Sequence, residues 1–143
     1  MSSSAIRIRP ATPDDAAGIV AVMNPIIAAR CYTVNRIVGL QTVSPFADFT
    51  HAFDHVGVIG TFVDLSRRRQ GIARRLFGAT FDAASRKGYE KFFSYVRADN
   101  EAALHTYLSR GFRIAGTAER QAKIDGRYID EIVIEKQLTS TAD

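Results

Sequence analysis

A chain of 143 residues with 46% hydrophobic content can bury one core and is short for two ordinary domains. Nineteen basic against fifteen acidic residues give a net charge of +4 and a pI near 9.5, a bias that suits an anionic ligand without naming one. Cys31 is the only cysteine, which excludes an internal disulfide and a cysteine-built zinc cluster. It reads as a buried structural thiol in a reducing compartment.

In chain order, Ala5–Arg9 alternates apolar and charged residues, the period of a half-buried strand. "TPDD" follows, with Thr12 as helix N-cap and Pro13 at the first helical position. The helix it opens would present Ala16, Ile19, Val20 and Met23 on one face, and Pro25 predicts a bend near Asn24. Residues Ile37–Val43 and His55–Val63 are rich in β-branched side chains and predict two adjacent strands joined by an aromatic loop, "SPFADFTHAFD".

The tract "RRRQGIARRLF" then packs five arginines into positions 67–75 around Gly71. Beyond it Leu76, Phe77, Thr80, Phe81 and Ala84 form a helical stripe that Gly88 closes. "KFFSYV" predicts a strand. "DNEAALHTYLSRG" predicts a short helix capped by Asp99 or Asn100 and ended by Gly111. Asp125-Gly126 between two alternating runs predicts a tight C-terminal hairpin.

The arginine tract sits between a strand and a helix, where backbone N–H groups and a positive dipole end can face an anion. It has neither the Walker spacing nor the three glycines of a dinucleotide fingerprint. Arg68 to Ala73 reads instead as R-x-x-G-x-A: Gly71 permits close backbone approach and Ala73 keeps the helix start open.

That pattern resembles the pyrophosphate loop of the GCN5-related N-acetyltransferases. "NEAALHTYLSRGF" resembles the later motif of the same family, with Asn100, Ala103, Tyr107, Gly111 and Phe112 in place. "IRPATPDDAAGI" and "DGRYIDEIVIEKQL" are similar to its phosphinothricin and amino-acid acetyltransferase branch. The resemblance implies an α/β fold in a single domain over residues 1–143. A mixed central sheet would splay at the cofactor site, with flanking helices and a C-terminal hairpin. One departure stands out: only "CYTVNR" intervenes before the second strand, where the family has a further helix and strand. Either the member is trimmed, or the sequence lacks a segment after residue 36, on the substrate side of the cleft.

The resemblance further implies acetyl transfer from acetyl-CoA to an amine by direct attack, with the cofactor between two strands that part after Val63. Backbone N–H groups at Phe62 and Val63 would hold the pantetheine arm and polarise the thioester. Those of residues 69–73 (Arg69, Gln70, Gly71, Ile72, Ala73) would hold the pyrophosphate, with Arg68, Arg69 and Arg74 adding charge. Tyr107 would protonate the departing thiolate, Asn100 would cap its helix and reach the cofactor arm, and Ser109 would touch the cofactor's distal end.

The incoming ammonium must lose a proton before it attacks. The branch's strand glutamate is matched here by Val58, which leaves Asp54 and His55 as acceptors, directly or through a water. His51 and His105 have weaker claims, and no metal spacing exists.

The leading reading is an N-acetyltransferase for a small-molecule amine, an amino acid or an amino-acid-like antimetabolite. An enzyme for protein N-termini and an idle acyl-CoA-binding module are the alternatives. The aromatic loop Phe46, Phe49 and Phe53 favours a closed, compact pocket. No nucleic-acid or membrane partner is expected, a homodimer is left open, and a cytoplasmic location follows from the absence of a secretory or spanning segment.

Overall fold

The computed structural model describes residues 5–23 and 38–138. Cys31, the bend at Asn24 and Pro25, Ile37 and the short "CYTVNR" segment lie outside them. Two compact units make up the chain: Met1–Gln41 with Thr61–Thr80, and Thr42–Gly60 with Phe81–Asp143.

In the first unit the N-terminal arm keeps its alternation, with Ile6 and Ile8 turned inward and Ala5, Arg7 and Arg9 outward. The predicted strand does not form. The Ile6 carbonyl accepts from the Arg75 guanidinium instead of from a neighbouring strand. Thr12 precedes a 3-10 turn, Pro13–Asp15, which leads into α1, Ala16–Met23. The Asp15 carboxylate accepts from the Thr12 N–H at 2.8 Å and takes both Arg9 guanidinium nitrogens, at 2.6 and 2.7 Å. The inward face is Asp15, Gly18, Ile19 and Val22, while Val20 is 46% exposed. Of the predicted stripe, Ile19 is partly buried while Ala16 and Val20 are exposed.

β1 covers Gly39–Pro45 and β2 covers Val56–Val63, each shifted by a residue or two from the expected bounds. A side chain at position 39 would meet Ile72 at 2.9 Å and the Phe62 carbonyl at 3.2 Å, so Gly39 is what lets β1 lie against them. The arginine tract opens α2, Ile72–Arg86, in which Ile72, Leu76 and Phe77 are buried. Gly88, at φ +91°, ends it as predicted.

The strand order of the sheet is β1-β2-β3-β5-β4, with β3, β5 and β4 wholly in the second unit. β3 is Lys91–Arg97, parallel to β2. α3, Glu101–Leu108, is capped by Asn100, whose side-chain oxygen accepts from the Ala103 N–H at 3.2 Å. Asp99, the other candidate cap, is held by Arg97 at 2.8 and 2.7 Å. β4, Arg113–Ile124, and β5, Arg127–Gln137, form the predicted hairpin, with Asp125 and Gly126 at φ +50° and +77°. β5 pairs antiparallel with β3 from Lys91–Gln137 to Arg97–Glu131. One face of β3 (Phe92, Ser94, Val96) is buried with Phe112, Tyr107 and Ile134, and Phe81 stacks on both Phe92 and Phe112.

The strands part earlier than expected. The β2–β3 ladder has three pairs and ends at Val58–Phe93, five residues before Val63. At the next position the Ser94 hydroxyl donates to the Ile59 carbonyl at 2.7 Å, so a side chain satisfies an oxygen that a ladder would otherwise have used.

The aromatic loop also departs from its expectation. Phe46, Phe49 and Phe53 are all exposed, Phe49 at 82%, and Phe46 packs edge to face on Phe53 and on Phe93 of β3.

Candidate functional site

In the first unit, β2 ends at Val63 and Asp64 caps a 3-10 turn, Leu65–Arg67, accepting from the Ser66 N–H at 2.9 Å. The Asp64 N–H donates to the Val38 carbonyl, which fixes the exit from the strand. The chain then turns through Arg69 at φ +62° and Gly71 at φ +72°. A left-handed arginine is uncommon and costs on the order of 1 kcal/mol, a strain typical of loops shaped to bind.

The first backbone bond of α2 runs from the Arg75 N–H to the Gly71 carbonyl at 3.1 Å. The N–H groups of Ile72, Ala73 and Arg74 thus have no acceptor within the helix. They lie at the positive end of the helix dipole, the arrangement that takes up phosphate. Arg67, Arg68, Arg69, Gln70 and Arg74 are exposed around them, whereas the Ile72 side chain is core and only its backbone can face a ligand. A Cβ built on Gly71 meets nothing within 4 Å, so open space lies where a phosphate would rest. These features fit the pyrophosphate of acetyl-CoA. Phe62 and Val63, the expected pantetheine contacts, end the strand just before this loop and are partly buried.

In the second unit, Tyr107 is buried on α3 and its ring meets Phe112 edge to face at 5.1 Å. Asn100 spends its oxygen on the helix cap, and its amide NH2 remains a donor. The Ser109 hydroxyl donates to the Thr106 carbonyl at 2.7 Å and retains its lone pairs.

Asp54 and His55 stand before the first residue of β2, five and four residues ahead of Ile59, where the ladder has ended. The Asp54 carboxylate pairs with His51 Nδ1 at 3.0 Å in the open, and the His55 carbonyl accepts from the Glu90 and Lys91 N–H groups. His105 is exposed on α3. Among the described residues, no three His, Cys, Asp or Glu side chains converge to hold a metal, and no helix is long and apolar enough to cross a membrane.

Two carboxylates on β5 escaped the sequence reading. Glu135 accepts from Lys91 at 2.6 Å and also meets Arg113, and the Lys91 hydrogen bond, with help from Arg113, holds its pKa below the usual range. Glu131 is partly buried, and burial pushes its pKa up against the opposing pull of Arg97. Alternation along β5 places both on one face, but only the strand register shows what stands opposite them.

Comparison with known proteins bears on the arrangement as a whole. No curated protein matches the chain. Among solved structures, a ribosomal-protein-alanine N-acetyltransferase from Brucella melitensis superposes with a TM-score of 0.81 at 21% identity, over 92% of this chain and 99% of that one. An acetyltransferase from Salmonella typhimurium, solved with its cofactor acetyl-CoA, gives 0.81 at 18% identity over 94% and 95%. A phosphinothricin acetyltransferase from Sinorhizobium meliloti in complex with acetyl-CoA gives 0.69 at 16% identity over 76% and 58%. At these identities the likeness is one of fold. A sequence model of the acetyltransferase (GNAT) family matches residues 13–112. That span takes in α1, the Arg68–Ala73 loop and the Asn100–Phe112 motif, and the chain belongs to the acetyltransferase (GNAT) family, as an acetyl-CoA-dependent acetyltransferase.

Proposed function

We propose that this chain, acting as one acetyltransferase domain, moves an acetyl group from acetyl-CoA to the primary amine of a small molecule. Amino acids and amino-acid-like antimetabolites are the first class to test. The observation that carries the reading is the loop at the start of α2, where Gly71 leaves open space beside three N–H groups that have no acceptor within the helix, in an exposed arginine cluster.

When bound, acetyl-CoA supplies an activated acyl group whose transfer needs little beyond positioning, charge stabilisation and two proton movements. The backbone of residues 69–73 holds the pyrophosphate, with Arg68 and Arg69 adding charge. The N–H groups of Phe62 and Val63 and the Asn100 amide orient the pantetheine arm, and Ser109 meets the distal end. Tyr107 delivers its phenolic proton to the leaving sulfur. Asp54 or His55 receives the ammonium proton through a water, since Val58 brings no carboxylate to the strand.

A panel of amines mixed with acetyl-CoA, read by thiol release, tests the proposal. Turnover with a small primary amine supports it. The exposed aromatic loop is the one feature that favours a peptide N-terminus, so an alanine-terminated peptide belongs in the panel, and turnover confined to that peptide would replace the small-molecule reading. Tight acetyl-CoA binding with no turnover on any amine would indicate the non-catalytic module.

A further inference from the structure

In the second unit β5 runs past the strand that covers it. β4 begins at Arg113, opposite Glu135, so Lys136 and Gln137 have no β4 residue across from them. The Leu138 N–H donates to the Glu90 carbonyl and the Ala98 N–H to the Asp130 carbonyl, so the even-numbered residues of β5 turn their backbone groups toward β3. The Gln137 N–H therefore points the other way, into an open groove of about 260 Å³ lined by Gly111, Arg113, Glu135, Lys136 and Gln137. Continuing the Arg113–Glu135 register puts Gly111 opposite Gln137, but there the chain turns at φ +87° and no backbone hydrogen bond joins the two among the described residues.

Lys136 fills that gap with its charge. Its side chain lies on the Phe92 side of the sheet, partly buried, with Nζ 5.4 Å from the Phe81 ring. A side chain begun at Gly111 would meet the same Nζ at 2.6 Å. Among the described residues this ammonium makes no hydrogen bond or ion pair, and the exposed Glu90, two residues from Phe92 on β3, is not paired with it. Glu135, the one carboxylate that lines the groove, is shared by Lys91 and Arg113. The Arg113 guanidinium keeps donors that Glu135 does not use. A backbone N–H, an ammonium and a guanidinium thus border one groove, in which positive charge is in surplus.

We propose that this groove binds a phosphate group, free or as a monoester. Donors arriving from both faces of the sheet and from its edge suit a tetrahedral oxyanion better than a planar carboxylate, and a dianion answers the surplus charge. The groove stands beside Lys91, the first residue of β3, whereas Asn100 follows the last, roughly 20 Å along the strand. The inference therefore concerns a second anion site and does not depend on the transferase reading.

The test follows the backbone amide resonances of the isotope-labelled full chain during titration with inorganic phosphate, phenyl phosphate and acetate at fixed pH and ionic strength. The Gly111 and Gln137 amides should shift saturably with phosphate and not with acetate. Lys136→Gln should weaken phosphate at Gly111 and Gln137 by about tenfold. Gln137→Pro removes an N–H that no strand uses, so it should fold and weaken phosphate at Gly111 to a similar extent. Neither variant should change the response of the amides of residues 69–73. Tighter binding of phenyl phosphate than of inorganic phosphate supports the site with an ester as occupant, and the reverse order supports it with the free ion. No saturable shift at Gly111 and Gln137, an equal response to acetate, or unchanged phosphate affinity in folded Lys136→Gln overturns the inference. A response confined to residues 69–73 also overturns it while leaving the cradle at Gly71 standing.

Discussion

The Ser94 hydroxyl reaches the Ile59 carbonyl one residue past the last β2–β3 pair, and Ser94 is 5% exposed. Removing a buried partner leaves the desolvated carbonyl unpaired, which costs about 1–3 kcal/mol. Ser94→Ala should lower the unfolding free energy by that amount, read as a fall in the urea midpoint with an unchanged slope. A midpoint equal to wild type would show that the carbonyl is satisfied by other means.

At Gly71 an added side chain meets no protein atom, but it would carry the backbone strain of φ +72° and fill the space beside the helix N-terminus. Gly71→Val should raise the acetyl-CoA dissociation constant by well over tenfold, with a stability loss of only about 1 kcal/mol. Calorimetric titration of the folded variant with acetyl-CoA checks this, and wild-type affinity would count against the cradle. Binding by wild type should also weaken as salt is added, because arginines and N–H groups face a pyrophosphate.

Tyr107 packs its ring against Phe112, so Tyr107→Phe keeps the packing and removes only the hydroxyl. The expected outcome is a fall in kcat of roughly 10²-fold, the usual worth of a positioned acid, with acetyl-CoA affinity almost unchanged. Equal turnover under conditions where chemistry limits the rate would take Tyr107 out of the mechanism.

Asp54→Asn and His55→Gln should each cost less than Tyr107→Phe, as expected if a water passes the proton on. The activity kcat/KM should climb with pH because the free amine is the reactive form. Pairing with His51 in the open leaves Asp54 solvated, in keeping with a minor role. Loss of the acid limb of the pH profile in just one of the two variants would identify a direct base.

Glu135 gives a stability signature of known sign. Its pKa is lowered in the folded chain, chiefly by Lys91, so it stabilises the fold above the ordinary glutamate range, and that contribution fades as pH falls through the depressed value. The melting temperature of Glu135→Gln should therefore lie below wild type at neutral pH, with the gap closing in acid. A gap independent of pH would assign the loss to packing.

The local grammar of this chain is legible in its sequence. The Asp125-Gly126 turn, the Asn100 cap, the Gly88 stop and the loop-to-helix passage at Gly71 each depend on residues within a few positions of one another, and backbone stereochemistry makes such signals strong. Alternation likewise marked the two runs of the C-terminal hairpin. Tertiary pairing decided the rest. The N-terminal alternation formed no strand, its Ile6 carbonyl being taken by Arg75, and on α1 the predicted Val20 stayed exposed while Ile19 turned inward. The strands parted at Val58 because Ser94, thirty-five residues from Ile59, supplied the next hydrogen bond. Glu131 gained its place across from Arg97 through the β3–β5 register alone. A period of two tells which side a residue faces. What stands across from it depends on contacts between residues distant in sequence, and no local pattern encodes that pairing.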